Sequence, residues 1–542
     1  MGLVETLVDN VSVRSVLVLV PGLALAYMIV ALILRPLWQE LKLANMPGAR
    51  APKLSSMVPF GLDFIYEGVR RSMKYENLEL WREMLGSIKS DTGEHRVAGR
   101  RIIFTTDPEN IKAILATQFG DYGKGKPFHE EWKPFLGNSI FATDGHLWHD
   151  SRQLIRPQFI KDRVSDLHVF ESHMQTLFRA IANGGALNGE DQHVDLEAGN
   201  GKPLDICDLF FRYTLDCATD FLLGYDVKSL STPRQEFADA FAEVQRVQSM
   251  IARAGPLNRV IPRKSYYRSL KVINSFVNLY IDRTLRLSPE ELASKSKGDS
   301  GYTFLHALAG YTRDRRVLRD QLVAVLLAGR DTTACTLSWT IYELARHPQV
   351  LEKLRTEILS VVGPTRPPTY DDLKSMKYLQ NVMNETLRLY PVVPFNVRLA
   401  LKDTTLPRGG GPDGSQPVKV LKDTPIAYST LVMQRRPELY PPPSASFAPV
   451  EQFSPERWYA WQPKPWQYIP FNGGPRICIG QQFALTEMGY VLTRLFQRYE
   501  RIDNYMGDVD GGKPTLRAEV VLQPGDGVRV AFWEAKSGEG KK

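Results

Sequence analysis

Cysteine is scarce in this chain: there are four in 542 residues, Cys207, Cys217, Cys335 and Cys478. No two form a CxxC-type pair, which excludes a zinc ribbon or finger. Four scattered thiols make no disulfide framework and point to a reducing compartment. Concentrated charge is lacking too. The net charge is +8 with a pI near 9.1, spread too thinly for a nucleic-acid-binding face but suited to an anionic membrane surface or an acidic protein partner. Long apolar runs are absent but for one. Residues 16–34 carry no charge and are interrupted only by Pro21, Gly22 and Tyr27, about enough helix to cross a hydrocarbon core of ~30 Å. The run is long for a signal-peptide core, and no small-x-small cleavage site follows, so it predicts a membrane anchor. Arg35, Lys42, Arg50 and Lys53 outnumber Arg14, which puts the bulk of the chain in the cytosol. Residues 46–52, MPGARAP, read as a stiff linker after the anchor.

What is present centres on Cys478. It lies in FNGGPRICIG, residues 471–480, where glycines and Pro475 hold the approach in a fixed turn. Residues 481–498 then carry Phe483, Ala484, Leu485, Met488, Leu492, Leu495 and Phe496 at near-helical spacing. A cysteine just before a helix N-terminus, near Arg476, is placed where a thiolate is favoured over a thiol. A lone cysteine is more often a small core hydrophobe. A nucleophilic one needs His–Asn or His–Asp partners, which the sequence alone neither supplies nor excludes.

Elsewhere the chain reads mainly as helix. The longest helical segment is residues 320–346, ended by His347-Pro348. At 1.5 Å per residue it runs on the order of 40 Å. In its middle stand Ala328, Gly329, Arg330, Asp331, Thr332 and Thr333, a poor helix interior that predicts a local kink and groove. Trp148 and Arg152, four apart, share one helix face that Pro157 closes, with His149 a bystander. Glu385 and Arg388, three apart, could be an ordinary surface pair. Residues 97–105 read as half a hairpin, a helix starts at Asp107-Pro108 and runs to Leu115, and residues 183–203 form an internal loop. Residues 204–224 are a helix with an apolar stripe. After Pro391 and Pro394, alternation from Val393 through Phe395 to Arg398 predicts a strand, and residues 516–522 predict another. Residues 249–271 mix apolar and basic side chains, which an ordinary solvated face would explain. The tail, residues 537–542, reads as disordered.

The ten residues around Cys478 match F-x-x-G-x-R-x-C-x-G and resemble the haem-binding loop of the cytochrome P-450 superfamily. Residues 328–332 resemble its A/G-G-x-D/E-T helix, Trp148 and Arg152 its W-x-x-x-R helix, Glu385 and Arg388 its E-x-x-R, and residues 453–458 the loop supplying a second arginine, Arg457. The resemblance covers nearly the whole chain. It implies one large unit, residues 46–542, behind an anchor at 1–45: a mainly α fold with small β-sheets and a long central helix over haem b. It implies that Cys478 is the axial thiolate. Trp148, Arg152, Arg398 and Arg476 would hold the haem, with Phe471 packed beside it. Asp331 and Thr332 would carry protons during oxygen activation. Glu385, Arg388 and Arg457 would form a buried network behind the haem. Gly329 would leave space for oxygen, Val393 and Phe395 would line the substrate pocket, residues 516–522 would be a weaker pocket candidate, and residues 249–271 would make a second contact with the bilayer. Ala328 stands where some relatives carry a haem-esterified Glu, so no covalent link is expected.

More narrowly, residues 148–159, 406–414, 433–436 and 481–485 resemble the fungal microsomal enzymes that hydroxylate n-alkanes and fatty acids. That implies a monooxygenase of the endoplasmic reticulum membrane, taking electrons from NADPH-cytochrome P-450 reductase and acting on the terminal carbon of an aliphatic chain. Hydroxylation of a fungal secondary metabolite or xenobiotic is the alternative. A haem-binding carrier or sensor without turnover is the third reading, against which Asp331 and Thr332 argue. One departure stands out: YPPPSASF at residues 440–447 replaces that family's usual pattern in what reads as a surface loop.

Overall fold

Apolar residues at helical spacing dominate the chain, and the structure follows them: it is mainly helical, with four small sheets among the described residues. The computed structural model describes residues 22, 30–159, 167–294, 303–445 and 447–535. The predicted anchor lies outside them apart from Gly22 and residues 30–34, and the predicted disordered tail lies outside them entirely. Among the described residues no helix is long and apolar enough to cross a membrane.

The chain divides into two compact units. The first comprises residues 1–71, 80–123 and 397–428. Its five-stranded sheet has the order Thr92–Val97, Arg100–Thr105, Pro425–Ser429, Phe395–Ala400, Tyr122–Gly123. The first two strands are an antiparallel hairpin, turned at Ala98 and Gly99, both with positive φ, as a two-residue primed turn requires. The second pairs in parallel with Pro425–Ser429. Only the later half of the hairpin was predicted, because Thr92–Val97 contains Glu94, His95 and Arg96, an unlikely composition for a buried strand. Glu94 is nevertheless only 2% exposed. It accepts from Nε of Arg101 at 2.9 Å and Nε of Arg50 at 2.8 Å. The helix begun at Pro108 is capped as predicted: the Asp107 side chain accepts from the amides of Glu109 and Asn110.

Residues 46–52 are not a free-standing linker. The Ala49 amide donates to the Pro417 carbonyl at 2.8 Å, and the Lys419 amide returns to Ala49 at 3.0 Å. Glu94 donates to Pro52 and Leu54 to Glu94, each at 2.9 Å. Gly48 makes the approach possible, since a Cβ there would come within 2.5 Å of the Pro417 oxygen.

The second unit comprises residues 72–79, 124–396 and 429–542. Its axis is the helix Arg315–Arg346, which packs against Ile206–Leu223, Lys264–Leu285, Lys377–Leu389 and Gln481–Arg498. It begins five residues before the predicted start because Asp314 caps it, accepting from the Arg316 and Val317 amides. The predicted kink is absent as a break: α-helix runs unbroken through residues 328–333. The hydroxyls of Thr332, Thr336, Ser338 and Thr340 instead each donate to a carbonyl one turn earlier, at 2.6 to 2.9 Å, so the helix satisfies its own polar side chains.

The helix Gln481–Arg498 and the helix Gly145–Ile155, which carries Trp148 and Arg152, stand where expected. The predicted strand at 516–522 is two short strands, Leu516–Ala518 and Leu522–Pro524, paired antiparallel. The strand after Pro394 starts at Phe395, because the Val393 and Pro394 carbonyls are taken by the hydroxyls of Thr430 and Ser429. Residues 249–271 span the end of one helix, a 3-10 turn at Gly255–Val260 and the start of Lys264–Leu285. Met250, Val260 and Tyr267 are exposed there, while Ile251, Tyr266 and Leu270 are core.

Replacing Glu94 by Ala leaves the buried Arg101 guanidinium without its carboxylate. A loss of about 3–5 kcal/mol is expected, measured as faster amide exchange in Thr92–Val97 and Arg100–Thr105.

Candidate active site

The loop before Cys478 is built by backbone conformation. Asn472 and Gly474 take positive φ, a 3-10 turn spans Gly474–Arg476, and the Cys478 amide donates to the Phe471 carbonyl at 3.0 Å, closing the loop. Gly473 admits the Trp466 ring, which a Cβ would meet at 2.5 Å. Cys478 is exposed, whereas Cys207, Cys217 and Cys335 are buried. Protein nonetheless surrounds the sulfur closely enough that burial pushes its pKa up, against the Gly480 amide and the charge of Arg152.

The sequence pointed to Arg476 as the cation beside this sulfur, and the structure corrects that. Arg476 donates to the Thr143 carbonyl at 2.9 Å and to Asp144 Oδ1 at 2.6 Å, and its guanidinium lies 4.7 Å from the Trp148 ring centroid. Asp144 is fixed in turn by the amides of Lys124 and Gly125. It is Arg152 that reaches the loop, donating to the Ile477 carbonyl at 3.0 Å. His149 is exposed and faces Gln153. One thiol, two guanidinium groups and an indole at one loop fit a haem: sulfur for iron, cations for propionates. A thiol so placed loses its proton on coordinating a metal cation. No helix dipole need supply that alone.

The loop also meets the central helix. Phe471 and Leu485 pack against an apolar cluster containing Cys335, Leu387, Val392 and Val521. Within that helix Asp331 is 1% exposed, and neither carboxylate oxygen has a regular hydrogen bond among the described residues. Burial pushes its pKa up, against the pull of Arg330 and the Gln245 side chain. Thr332 is half-buried, and its hydroxyl donates to Ala328 O at 2.6 Å. At Gly329 an added Cβ would meet only the Ala218 methyl, at 4.0 Å, so that face of the helix is open.

Behind the loop, the Glu385 side chain is fully buried. Arg388 grips it bidentately at 2.7 and 2.8 Å, and Arg457 adds Nε at 3.3 Å. Trp458 Nε1 and the Ser454 amide complete its acceptors at 3.1 and 3.0 Å. The spare donors of both arginines hold the carbonyls of Ala448, Pro449, Val450 and Gln452. The divergent stretch 440–447 is therefore no bystander: Tyr440 lies under both guanidinium groups, at 5.5 and 5.6 Å, and Phe447 under Arg457 at 4.8 Å. Of the expected pocket residues, Val393 is 40% exposed and Phe395 half-buried. Arg398 belongs to the first unit, is buried, and donates to the Val397 carbonyl at 3.1 Å.

A sequence model described as Cytochrome P450 matches residues 87–522. The chain belongs to the cytochrome P450 family. It is 56% identical to cytochrome P450 monooxygenase pvhE of Talaromyces variabilis over 90% of this chain and 91% of that one. It is 38% identical to cytochrome P450 52A13 of Debaryomyces hansenii over 89% and 92%. The crystal structure of the cytochrome P450DA heme domain has the same fold, with a TM-score of 0.71 at 19% identity, covering 91% of this chain and 99% of that one. The protein is thus a haem-thiolate monooxygenase, of a family that takes electrons from a redox partner and acts on hydrophobic substrates.

Sequence reasoning missed one buried acid of this cytochrome P450. Glu487, on Gln481–Arg498, is 2% exposed and its pKa is pushed up to about 8 by burial, with Thr333 of the central helix as its polar neighbour. The signal was there: Glu487 occupies the apolar stripe between Ala484 and Met488.

Because the folded state keeps Glu487 protonated while the unfolded state releases that proton above its ordinary pKa of 4.5, native stability falls as pH rises from about 4.5 toward 8. Glu487→Gln should remove that slope, raising Tm more at pH 8 than at pH 5. Arg388→Ala strands the Glu385 carboxylate and should cost about 3–5 kcal/mol. The protein should then accumulate without haem, seen as a lost Soret band per mole of protein, and Arg388→Lys should not rescue it because the paired geometry is lost.

Proposed function

We propose that this P450 hydroxylates the terminal carbon of an n-alkane or fatty acid, held to the endoplasmic reticulum membrane by residues 16–34 and supplied with electrons by NADPH-cytochrome P450 reductase. The observation that carries the catalytic part is the state of Thr332. Its proton is committed to Ala328 O, so its oxygen can only accept on the side away from the helix, and it steadies a proton donor there. Asp331, one residue earlier and buried, supplies protons without admitting bulk water. Haem, with Cys478 as its thiolate ligand, supplies dioxygen activation when bound. Arg152, Arg476 and Trp148 orient its carboxylates, and Phe471 packs the loop that carries the ligand. The Glu385–Arg388–Arg457 network keeps the segments behind that loop from shifting.

Val393 and Phe395, an aliphatic and an aromatic side chain with surface still accessible, are suited to packing along a hydrocarbon chain. The motifs shared with the fungal alkane and fatty-acid hydroxylases support the aliphatic reading, and the net positive charge suits a membrane surface. Exposed Met250, Val260 and Tyr267, among basic residues, are consistent with a second membrane contact. A second reading, a bulkier fungal metabolite or xenobiotic, is favoured by the departure of residues 440–447 from the pattern of the alkane and fatty-acid hydroxylases.

Thr332→Ala should leave NADPH oxidation running while product per NADPH falls by about tenfold or more; unchanged coupling would refute the role. For the substrate, alkanes, fatty acids and polycyclic aromatics are compared by the shift in haem spin state. Long aliphatic chains should give the largest shift, and a shift confined to ring compounds would favour the second reading.

A further inference from the structure

Arg330 sits inside the central helix with 8% of its surface exposed, a position where a charge is expensive unless something specific holds it. Its Nε has no hydrogen-bond partner among the described residues. Its guanidinium lies instead between two rings, 5.4 Å from the centroid of Phe211 on Ile206–Leu223 and 5.8 Å from that of Phe241 on Glu236–Ala254. This slot is attractive to a flat cation. From there Nη1 approaches Asp331 Oδ1 at 3.4 Å.

We propose that Arg330 is a positioning residue for Asp331: clamped between Phe211 and Phe241, it keeps one fixed positive charge beside the buried carboxyl, so that the carboxyl can release a proton and take one back. This rests on the reading of Asp331 as the proton carrier. The surroundings leave the task to Arg330. Glu236–Ala254 offers Asp331 only the neutral amide of Gln245. One turn along the central helix is Cys335, whose thiol burial keeps protonated, with Cys207 of Ile206–Leu223 near it and likewise protonated. Among the described residues that weigh on Asp331, Arg330 is the one carrying charge. Without it, ionising a fully buried carboxyl is compensated only by the neutral amide of Gln245, and a carboxyl that cannot ionise can hold a proton but not pass it on. With a stronger, hydrogen-bonded ion pair the carboxylate would instead stay charged and hold none. A cation fixed by ring faces at 3.4 Å lies between these limits.

The test uses the haem-loaded full-length protein and two readouts. Infrared difference titration follows the protonated carboxyl band that disappears in Asp331→Asn, and coupling is measured as product per NADPH. In Arg330→Met the carboxyl should titrate about one to three pH units higher than in the wild type, and coupling should fall toward the Asp331→Asn level. Arg330→Lys, which keeps the charge, should restore most of both. An unchanged titration in Arg330→Met overturns the proposal. If that variant does not take up haem, Phe241→Leu, which loosens the slot, must shift the titration upward in the same sense, and no shift there overturns it equally. Wild-type coupling in Asp331→Asn would instead refute the proton-carrier reading, and the infrared titration would still decide what Arg330 does to the carboxyl.

Discussion

A helix with most of its side chains buried can carry polar chemistry only if its own backbone and side chains absorb the polarity. Arg315–Arg346 does this with hydroxyls that return to carbonyls one turn back. The cost to helix propensity is small, and the gain is that no water or distant partner is needed to satisfy Thr332, Thr336, Ser338 or Thr340. Among the described residues of this helix, buried polar atoms without regular hydrogen bonds are Oε1 of Gln321 and, where the chemistry is proposed, Nε of Arg330 and both carboxylate oxygens of Asp331. The adjacent pair Arg330 and Asp331 sits in the one stretch whose residues are poor helix formers.

The Cys478 loop depends on a different kind of restraint. Its own turn fixes the backbone through glycine geometry, but its surroundings are held by charge: Asp144 with Arg476 on one side, Glu385 with two arginines behind. A buried ion pair adds little to stability compared with a well-packed apolar replacement. What it adds here is direction, because each guanidinium also binds carbonyls of loops that have no regular structure of their own. The loop 448–458 is thereby ordered by side chains rather than by a ladder.

How much of this could be read in advance varied with the range of the interaction. The helix Gln481–Arg498 and the Asp107 cap were legible because periodicity and capping are local. Glu385 with Arg388 was visible as a spacing, yet its burial and its bond to Arg457 came only through family resemblance. Thr92–Val97 was missed because Glu94 is neutralised by Arg50 and Arg101, partners no short window contains. Threonine and glycine propensities predict a kink, whereas the helix runs unbroken and its hydroxyls bond to the preceding turn. Arg476 was assigned to the sulfur because it is close in sequence, whereas Asp144, over three hundred residues earlier, claims it. The YPPPSASF stretch reads as a surface loop, yet its two aromatic residues lie against the arginines of the buried network, contacts no short window contains.

The strand-like attachment of residues 49–54 to the first unit has a mechanical meaning. A chain that left its N-terminal segment through slack peptide would let the rest swivel freely. Here the hydrogen bonds at Ala49 and Leu54, with Gly48 pressed against Pro417, leave almost no lever arm between residue 45 and the sheet. Whatever fixes the direction of helix Arg35–Ala44 therefore also fixes the tilt of the strands it is tied to, so their orientation is written into the backbone rather than averaged over a tether.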